Sequence, residues 1–202
     1  MSLRLSIVPA FPLSIAVLPG EVMPLHVFEP RYKQLVTDCF EQKKPFAIPF
    51  VEKTSMLGWG SLVLIKRIDQ TYPNGECDVS VEGLMPFKLA DFKEFMSDKL
   101  YGSCSIYTED LADNTADLGL GNKAFGLLSA YLPHQAIQLA NANIKADSYR
   151  MAAMLQLPQK TKYEYMSLST ENERLKKLIN EIKILIQIRK NEEAIEKNFL
   201  LN

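Results

Sequence analysis

The stretch that most constrains the fold runs from Phe11 to Phe40, where two short apolar segments lead into an amphipathic helix. Residues 14–18 have the apolar character of a strand, a Pro-Gly pair follows as a turn signal, and residues 22–28 are apolar again. The segment therefore predicts a strand, a tight turn, a second strand and then a helix with one face in a core.

The predicted helix begins directly after Glu29. Pro30 suits its first turn, because proline lacks an N–H that would have no partner there and its φ is already helical. The carboxylate of Glu29 would lie at the positive end of the helix dipole. The apolar residues then recur at the spacing of one helical stripe: Tyr32, Leu35, Val36, Cys39 and Phe40. This stripe predicts that the helix packs against a core.

Several other segments have the pattern of strands. Residues 3–8 alternate between apolar and polar side chains, with Leu5 and Ile7 on one face, which is the period of a half-buried strand. Residues 46–51 are a further candidate, and Pro49 within them predicts an edge position or a bulge. Two more strand candidates lie at residues 87–95 and 101–107.

The clearest hairpin is centred on Pro73-Asn74-Gly75. The nearly continuous apolar run over residues 61–68 is typical of a strand that is covered on both faces. Residues 77–82 alternate between apolar and polar side chains on the return strand, which we expect to end at residues 83–86. The Asn-Gly pair supplies the positive φ values that hairpin turns require.

Together these segments predict an amino-terminal domain of mostly antiparallel strands with one helix. Because about seven strand candidates are joined by short connections, we expect the sheet to close on itself as a small β-barrel. The character of the sequence changes over residues 110–122, which are rich in Asp, Asn and Gly. We therefore predict a β-rich domain over residues 1–115 and an α-helical domain over residues 120–202.

The second predicted domain is helical throughout. Residues 123–131 indicate one helix, residues 134–146 are ambiguous, and Asp147 is a candidate N-cap for a helix over residues 148–157. The fold class is thus α+β, with a β-barrel followed by a helical bundle.

The last helix is the longest. Thr170 and Glu173 form a capping box at its start. Its apolar residues keep a helical spacing: Leu175, Leu178, Ile179, Ile182, Leu185 and Ile186. This stripe either packs against the preceding helices or pairs with a second copy of the chain in a coiled coil, so self-association through this helix is a possible partner interaction.

Several short motifs occur together in the chain. They are Pro12-Leu13, Leu18-Pro19-Gly20, Pro24-Leu25, Phe28-Glu29-Pro30-Arg31-Tyr32 and Val81-Glu82-Gly83-Leu84. In this combination they resemble the amino-terminal, substrate-binding domain of Lon proteases, especially the small bacterial proteins in which that domain stands alone. The resemblance implies a PUA-like barrel followed by a helical bundle. It also implies structural roles for the motif residues Pro24, Phe28, Glu29, Pro30, Arg31, Tyr32, Glu82 and Gly83.

Composition argues against several classes of protein. The net charge of -1 and the pI near 6.2 give no electrostatic reason to expect a nucleic-acid partner. The three cysteines are widely spaced and favour reduced, buried thiols over a disulfide framework or a zinc site. No apolar run reaches the roughly 18 residues of a membrane span, so we expect a soluble, cytoplasmic protein. We also expect no cofactor.

No catalytic motif stands out in the sequence. The GxxxxGK[ST] pattern of a phosphate-binding loop is absent, as are GxSxG and HExxH, and we expect neither the ATPase module nor the Ser-Lys protease domain of full-length Lon. The two histidines, His26 and His134, lie in different predicted domains, and His26 is expected to be a hydrogen-bonded structural imidazole. We therefore predict that the chain is not an enzyme.

Trp59 is the candidate contact residue for a protein partner. It lies between two glycines and follows Met56 and Leu57, which end a predicted loop, and aromatic residues dominate binding hot spots. Trp59, Met56 and Leu57 are therefore the predicted protein-binding residues.

Two functions remain open from the sequence. The resemblance to Lon amino-terminal domains implies a non-catalytic module that binds unfolded segments or partner proteins. The alternative is a small hydrolase or ligand-binding enzyme with its site in a cleft between barrel and bundle. An exposed apolar patch favours the binding module, whereas a convergent cluster of polar side chains favours the enzyme.

Overall fold

The computed structural model describes residues 4–108, 116–141 and 147–200. The chain forms two compact units, Met1–Ala112 with Gln156–Ser167 and Asp113–Leu155 with Leu168–Asn202. The predicted division into domains 1–115 and 120–202 stays a prediction. Residues 110–115, at the predicted boundary, lie outside the described residues.

The first unit is built on six strands in the part of the chain that the structure describes. They are β1 (Arg4–Ala10), β2 (Val22–Val27), β3 (Phe46–Glu52), β4 (Ser55–Thr71), β5 (Cys77–Lys93) and β6 (Gly102–Thr108). Their order is β2-β5-β4-β3-β1-β6, and β6 also pairs with β5, so the sheet closes on itself. Only the β1–β3 pair among the named strands is parallel. The predicted mostly antiparallel barrel is confirmed.

Helices account for the rest of the described secondary structure. They are α1 (Pro30–Gln42), α2 (Leu118–Tyr131), α3 (Pro133–Asn141), α4 (Ser148–Ala153), α5 (Gln159–Met166) and α6 (Glu171–Leu200). The helices α1 and α5 belong to the first unit, and the other four belong to the second. Across the described ranges, no helix is both long enough and apolar enough to cross a membrane.

The β4–β5 hairpin is confirmed, with a different turn from the expected one. The Gly75 N–H donates to the Tyr72 carbonyl at 2.9 Å, and the Tyr72 N–H donates to the Glu76 carbonyl at 2.8 Å. Gly75 has a φ of +77°, whereas Asn74 does not adopt a positive φ. The loop is therefore a three-residue turn in which the glycine alone supplies the left-handed conformation.

The return strand does not end at residues 83–86 as predicted, because a bulge absorbs them. Leu62 pairs with Met85 and Val63 pairs with Gly83, which leaves Leu84 as the extra residue on β5. The strand then continues to Lys93.

The prediction of a strand over residues 14–18 is wrong. Residues 16–18 of this segment are fully buried, and side chains rather than a neighbouring strand accept their N–H bonds. The Ala16 N–H donates to Gln159 Oε1 at 2.7 Å, and the Val17 N–H donates to Ser61 Oγ at 2.8 Å. Because α5 supplies one of these acceptors, the segment is fixed by a part of the chain far away in sequence.

The core of the first unit lies under α1. The predicted stripe is confirmed for Tyr32, Leu35, Val36 and Cys39, which are buried, and is wrong for Phe40, which is exposed at 39%. Within β3, the register shifts after Pro49, which confirms the predicted bulge. Other members of the cluster beneath α1 come from the sheet and from the segment before β2: Phe11, Val17, Phe46, Ile48, Val63, Val79 and Val81.

Helix starts in the second unit follow their capping residues. Asp147 accepts from the Tyr149 N–H at 2.9 Å and confirms the predicted cap of α4, although that helix ends at Ala153 rather than at residue 157. Asp117 caps α2, whose start at Leu118 is earlier than the predicted residue 123. The helix α5 was not predicted at all.

The predicted capping box of α6 is confirmed. The Glu173 N–H donates to Thr170 Oγ1 at 3.2 Å, and the Thr170 N–H donates to Glu173 Oε2 at 3.1 Å. A buried network lies beside it. The carboxylate of Glu171 accepts from the Ser148 N–H and hydroxyl at 2.7 and 2.8 Å, and from the Arg174 guanidinium at 3.0 Å. The first turns of α4 and α6 are thereby joined through one carboxylate.

Candidate functional site

Two of the sequence motifs meet at Gly83. The turn from Leu18 to Glu21 has its Gly20 at a φ of +80°, and the Gly20 N–H donates to the Gly83 carbonyl at 2.9 Å. The Gly83 N–H donates in return to the Glu21 carbonyl at 2.9 Å. A Cβ atom on Gly83 would lie 2.2 Å from the Leu18 carbonyl oxygen, so only glycine permits this approach. The two motifs thus join the turn from Leu18 to Glu21 to the strand β5.

The other motif residues of the sheet make ordinary pairs. Pro24 lies in β2 opposite Ser80. Glu82, whose carboxylate is half-exposed, forms an ion pair of 3.2 Å with Lys66 across the β4–β5 pair. Neither residue forms part of a convergent polar site.

The motif at the start of α1 forms a small stack. Glu29 Oε2 accepts from Nε and Nη2 of Arg31, both at 2.8 Å, and the Arg31 guanidinium lies 4.6 Å from the centre of the Tyr32 ring. Tyr32 stacks on Phe11 with ring centres 3.8 Å apart, and burial raises its pKa. Phe28, directly before Glu29, is exposed. The arrangement orients the start of the helix and leaves Phe28 in solvent.

His26 lies on the surface rather than among core residues. Its Nδ1 is 2.7 Å from Asp78 Oδ1 and its Nε2 is 3.4 Å from Glu76 Oε2. Asp78 also accepts from the Tyr72 hydroxyl at 2.7 Å. The hydrogen bond to Asp78 raises the pKa of His26, and the hydrogen bonds from Tyr72 and then His26 lower the pKa of the Asp78 carboxyl. The imidazole is hydrogen-bonded as expected, but its exposure differs from the expectation.

Trp59 begins a row of side chains across the outside of the barrel. Trp59 on β4 pairs with Lys88 on β5, Lys88 pairs with Tyr107 on β6, and Tyr107 pairs with Leu5 on β1. Residues directly opposite one another project from the same face of a sheet. The exposure agrees, since Lys88 and Leu5 are exposed while Trp59 and Tyr107 are half-buried. We call these four residues the outer row.

The outer row spans four strands. With neighbouring strands about 4.8 Å apart, its two ends lie about 14 Å from each other. The opposite face of the same strands is the barrel interior, where Phe87, Cys104 and Ile106 are fully buried. The row is thus a solvent-facing surface with an aromatic ring near each end and one cation between them.

The other two predicted contact residues are placed differently. Leu57 and Met56 are both half-buried, and they lie in β4 rather than in the predicted loop. The strand is irregular here, because Pro49 pairs with Gly60 and Val51 pairs with Met56, which leaves Leu57, Gly58 and Trp59 opposite Phe50 alone. Regular alternation of faces does not extend through this stretch, so of the three residues only Trp59 has its face fixed by strand pairing, opposite Lys88.

The helix α5 fixes the strand that carries Trp59. The Tyr163 ring packs against Phe50 with centres 4.8 Å apart, and its hydroxyl lies near the backbone amides of Gly58 and Trp59. Burial raises the pKa of this hydroxyl, and the two amides oppose that shift. Sequence reasoning missed this support because nothing in residues 159–166 identifies the strand they contact.

The described residues hold few groups that could support metal or thiol chemistry. Over residues 4–108, 116–141 and 147–200, no group of three or more His, Cys, Asp or Glu side chains is placed to hold a metal ion. The prediction of reduced, buried thiols is confirmed, since Cys39, Cys77 and Cys104 are all buried and none forms a disulfide. Burial raises the pKa of Cys39 to about 11 and that of Cys104 to about 12.

Comparison with known proteins decides the family. The family model of the ATP-dependent protease La (LON) substrate-binding domain matches residues 7–197 of the chain. The chain belongs to this family. The resemblance that the sequence motifs indicated is therefore confirmed. A search of curated proteins gave no match.

Solved structures of Lon amino-terminal domains share the fold. The Lon N-terminal domain protein from Xanthomonas campestris is 21% identical, with a TM-score of 0.66 over 87% of this chain and 98% of that chain. The N-terminal domain of the Mycobacterium avium complex Lon protease is 17% identical, with a TM-score of 0.66 over 88% and 98% of the two chains. The barrel with its helices is thus the Lon amino-terminal fold.

Proposed function

We propose that this chain is a non-catalytic module that binds unfolded segments or partner proteins. The observation that carries the proposal is its membership of the Lon substrate-binding domain family over residues 7–197. A module that binds unfolded chains needs an exposed apolar surface that a partner can cover. The outer row supplies such surface in the first unit. A cytoplasmic location remains part of the same proposal.

The outer row has the composition of a contact surface. Tyr and Trp are enriched among residues that dominate binding energy, because each offers a large rigid apolar face with one polar group. Trp59 and Tyr107 lie in paired strands and are half-buried, so each side chain has a held backbone and a part that meets solvent. Leu57 and Met56, both half-buried in β4 just before Trp59, are further candidate contacts. We place the binding surface on these residues.

The test uses a permanently unfolded protein as its probe. Fluorescently labelled, reduced and carboxymethylated lactalbumin is titrated with the purified chain, and the anisotropy gives Kd. We expect Trp59→Ala to weaken binding by roughly tenfold or more, the loss typical of a hot-spot residue. The matched control is Phe95→Ala, which removes an exposed aromatic ring from the loop after β5. No binding by the unaltered chain, or equal loss in both variants, would contradict the proposal.

A second partner interaction is self-association through α6. The predicted stripe is buried at Leu175, Leu178, Ile179 and Ile182, so it packs within the chain. A different set, Ile184, Ile188 and Ile195, is exposed at intervals of four and seven residues, the spacing of a coiled-coil seam. We infer that this seam pairs with the same seam of a second copy. Sedimentation velocity tests it: the unaltered chain should form a dimer at rising concentration, and Ile188→Lys should keep it monomeric. A monomer at every concentration would contradict the inference.

A further inference from the structure

The strand β1 has a partner along its full length on one side only. Every residue from Arg4 to Ala10 pairs with β6. On the other side, β3 contributes a single pair, Ala10 with Ala47. Among the described residues, no strand pairs with residues 4–9 on that side. This part of β1 is an open edge; among the described strands β2 also has an open side, because it pairs only with β5.

The backbone groups that face this open edge are identified by the next hydrogen bond along the chain. The Phe11 N–H donates to the Ala47 carbonyl at 2.8 Å, so the backbone of Phe11 faces β3. Backbone direction alternates along a strand, and the β1–β6 register is unbroken. The N–H and C=O groups of Ile7 and Leu5 therefore face the same side as Phe11, where β3 no longer reaches. Pro9 also faces this side and has no N–H to offer.

The side chains of the same two residues are exposed. Leu5 is 57% exposed and Ile7 is 66% exposed, although both are large and apolar. Natural proteins usually protect open edges with charged residues, prolines or bulges, because unpaired strands bind other chains. Here proline stands only at residue 9, and unprotected donors, acceptors and apolar side chains coincide at residues 5 and 7.

We propose that the open edge of β1 binds an extended apolar segment of an unfolded polypeptide, which adds to the sheet as a strand beside Leu5 and Ile7. The proposal rests on the proposed function and gives it a binding mode. The open edge offers two donors and two acceptors in a line, and an extended chain with unpaired backbone groups is their complement. A folded protein pairs most backbone groups within its own strands; a second copy of this chain has the same open edge, and its dimer would be an outcome of the test.

The location of the open edge supports an apolar segment. Leu5 is the last residue of the outer row, so an added strand would extend the surface that begins at Trp59. Residues of that strand opposite Leu5 and Ile7 would project from the same outer face. Large apolar side chains at alternate positions of the segment would contact these two residues, while the intervening positions would face the other way.

The experiment separates the backbone from the side chain. The probe is a short peptide of alternating valine and threonine with lysine at both ends, labelled for anisotropy. Ile7→Pro removes the N–H from the open edge and leaves the ladder to β6 intact, because residue 7 bonds away from β6. Ile7→Thr keeps the N–H and reduces the apolar surface. Leu100→Ser is the matched control, since Leu100 is as exposed as Leu5, at 57%, and lies in a loop.

We expect Ile7→Pro to weaken peptide binding by roughly tenfold or more, Ile7→Thr to weaken it less, and Leu100→Ser to leave it unchanged. A peptide N-methylated at every second residue on one edge should lose binding, whereas one methylated on the other edge should retain it. Circular dichroism and thermal melting check that each variant is folded. If Ile7→Pro is unfolded, the two N-methylated peptides with the unaltered chain test the backbone contact instead.

Three results would overturn the proposal. Peptide binding that is insensitive to Ile7→Pro and to both methylation patterns would exclude strand addition. In that case carboxymethylated lactalbumin that still binds in a Trp59-dependent manner would leave the proposed function standing. A concentration-dependent dimer that Ile7→Pro abolishes would assign the edge to a second copy of the chain. Failure of every probe to bind would remove both the binding mode and the proposed function.

Discussion

The ammonium group of Lys162 on α5 forms an ion pair with Glu21 in the turn before β2, and both side chains are almost removed from solvent, at 5% and 11% exposure. The second oxygen of Glu21 accepts from the Leu18 N–H at 2.9 Å. A residue of α5 is thus bound to the turn that also docks on Gly83. This pair couples the position of α5 to the buried segment over residues 14–18.

Removal of the cation from this pair should strongly destabilise the first unit. In Lys162→Met the carboxylate of Glu21 stays buried without its partner, and such a loss typically costs about 3–5 kcal/mol of unfolding free energy. Urea unfolding measures the change. The control is Lys66→Met, which breaks the more exposed pair with Glu82 and should cost no more than about 1 kcal/mol.

The double variant Lys162→Met with Glu21→Gln should recover part of the loss, because no unpaired charge is then buried. Equal effects of Lys162→Met and Lys66→Met would show that the buried pair contributes no more than a surface pair.

Gly83→Ala should destabilise the chain through a steric clash. The added methyl group would lie 2.2 Å from the Leu18 carbonyl oxygen, so the turn must move away from β5. Overpacking of this kind costs about 1–3 kcal/mol, and here the neighbour is backbone that yields poorly. Gly58→Ala is the matched control, since nothing lies within 4 Å of its added carbon. Thermal melting should separate the two variants, and similar melting temperatures would contradict the close approach.

The cysteines should be unreactive in the folded protein. Burial raises the pKa of Cys39 to about 11 and that of Cys104 to about 12, and it also raises the pKa of Cys77. Because the thiolate is the reactive form, a disulfide reagent such as DTNB should react slowly at pH 8 and only through unfolding. In denaturant all three thiols should react at once. Rapid reaction of any native thiol would show that its site is open.

His26 should titrate at a higher pH than a free histidine. Its hydrogen bond to Asp78 favours the protonated imidazole and raises the pKa above 6.5. The contribution of this hydrogen bond to the free energy of unfolding is therefore fully present below pH 6.5. It is lost as the pH rises through the higher pKa that His26 has in the folded state. Proton NMR of the imidazole ring measures this value in the unaltered chain.

Two variants identify the cause of that shift. Asp78→Asn should lower the pKa of His26 towards 6.5, because it removes the largest favourable interaction. Glu76→Gln should lower it less, since Glu76 is farther from the ring, at 3.4 Å. A larger effect of Glu76→Gln would mean that the ring bonds Glu76 rather than Asp78 in solution.

Features that depend on neighbours in sequence were predicted well. The hairpin at Gly75, the cap at Asp147 and the capping box of Thr170 and Glu173 each need only a few adjacent residues. The pattern of local hydrogen bonds follows from residue type, so the sequence alone indicates it. The same holds for the helix that begins at Pro30, whose apolar stripe has one clear period.

Features that depend on distant parts of the chain were not predictable. The segment over residues 14–18 is as apolar as a strand, yet Gln159, more than a hundred residues away, accepts one of its N–H bonds. Similarly, the alternation of residues 3–8 predicted a strand, but only the three-dimensional pairing shows that Leu5 and Ile7 face solvent. The outer row combines four strands, and no local pattern connects Trp59 with Leu5.

Hydrogen exchange of the protein, measured with and without bound carboxymethylated lactalbumin, tests the proposed binding surface most directly, because it locates the contact on the chain. Mass spectrometry of the free and the bound protein should show slowed exchange in segments that contain Leu5, Ile7 and Trp59. The segment that carries Leu100 should exchange equally in both states. Protection confined to other segments, or none at all with the probe bound, would contradict the proposal that this face of the barrel binds unfolded chains.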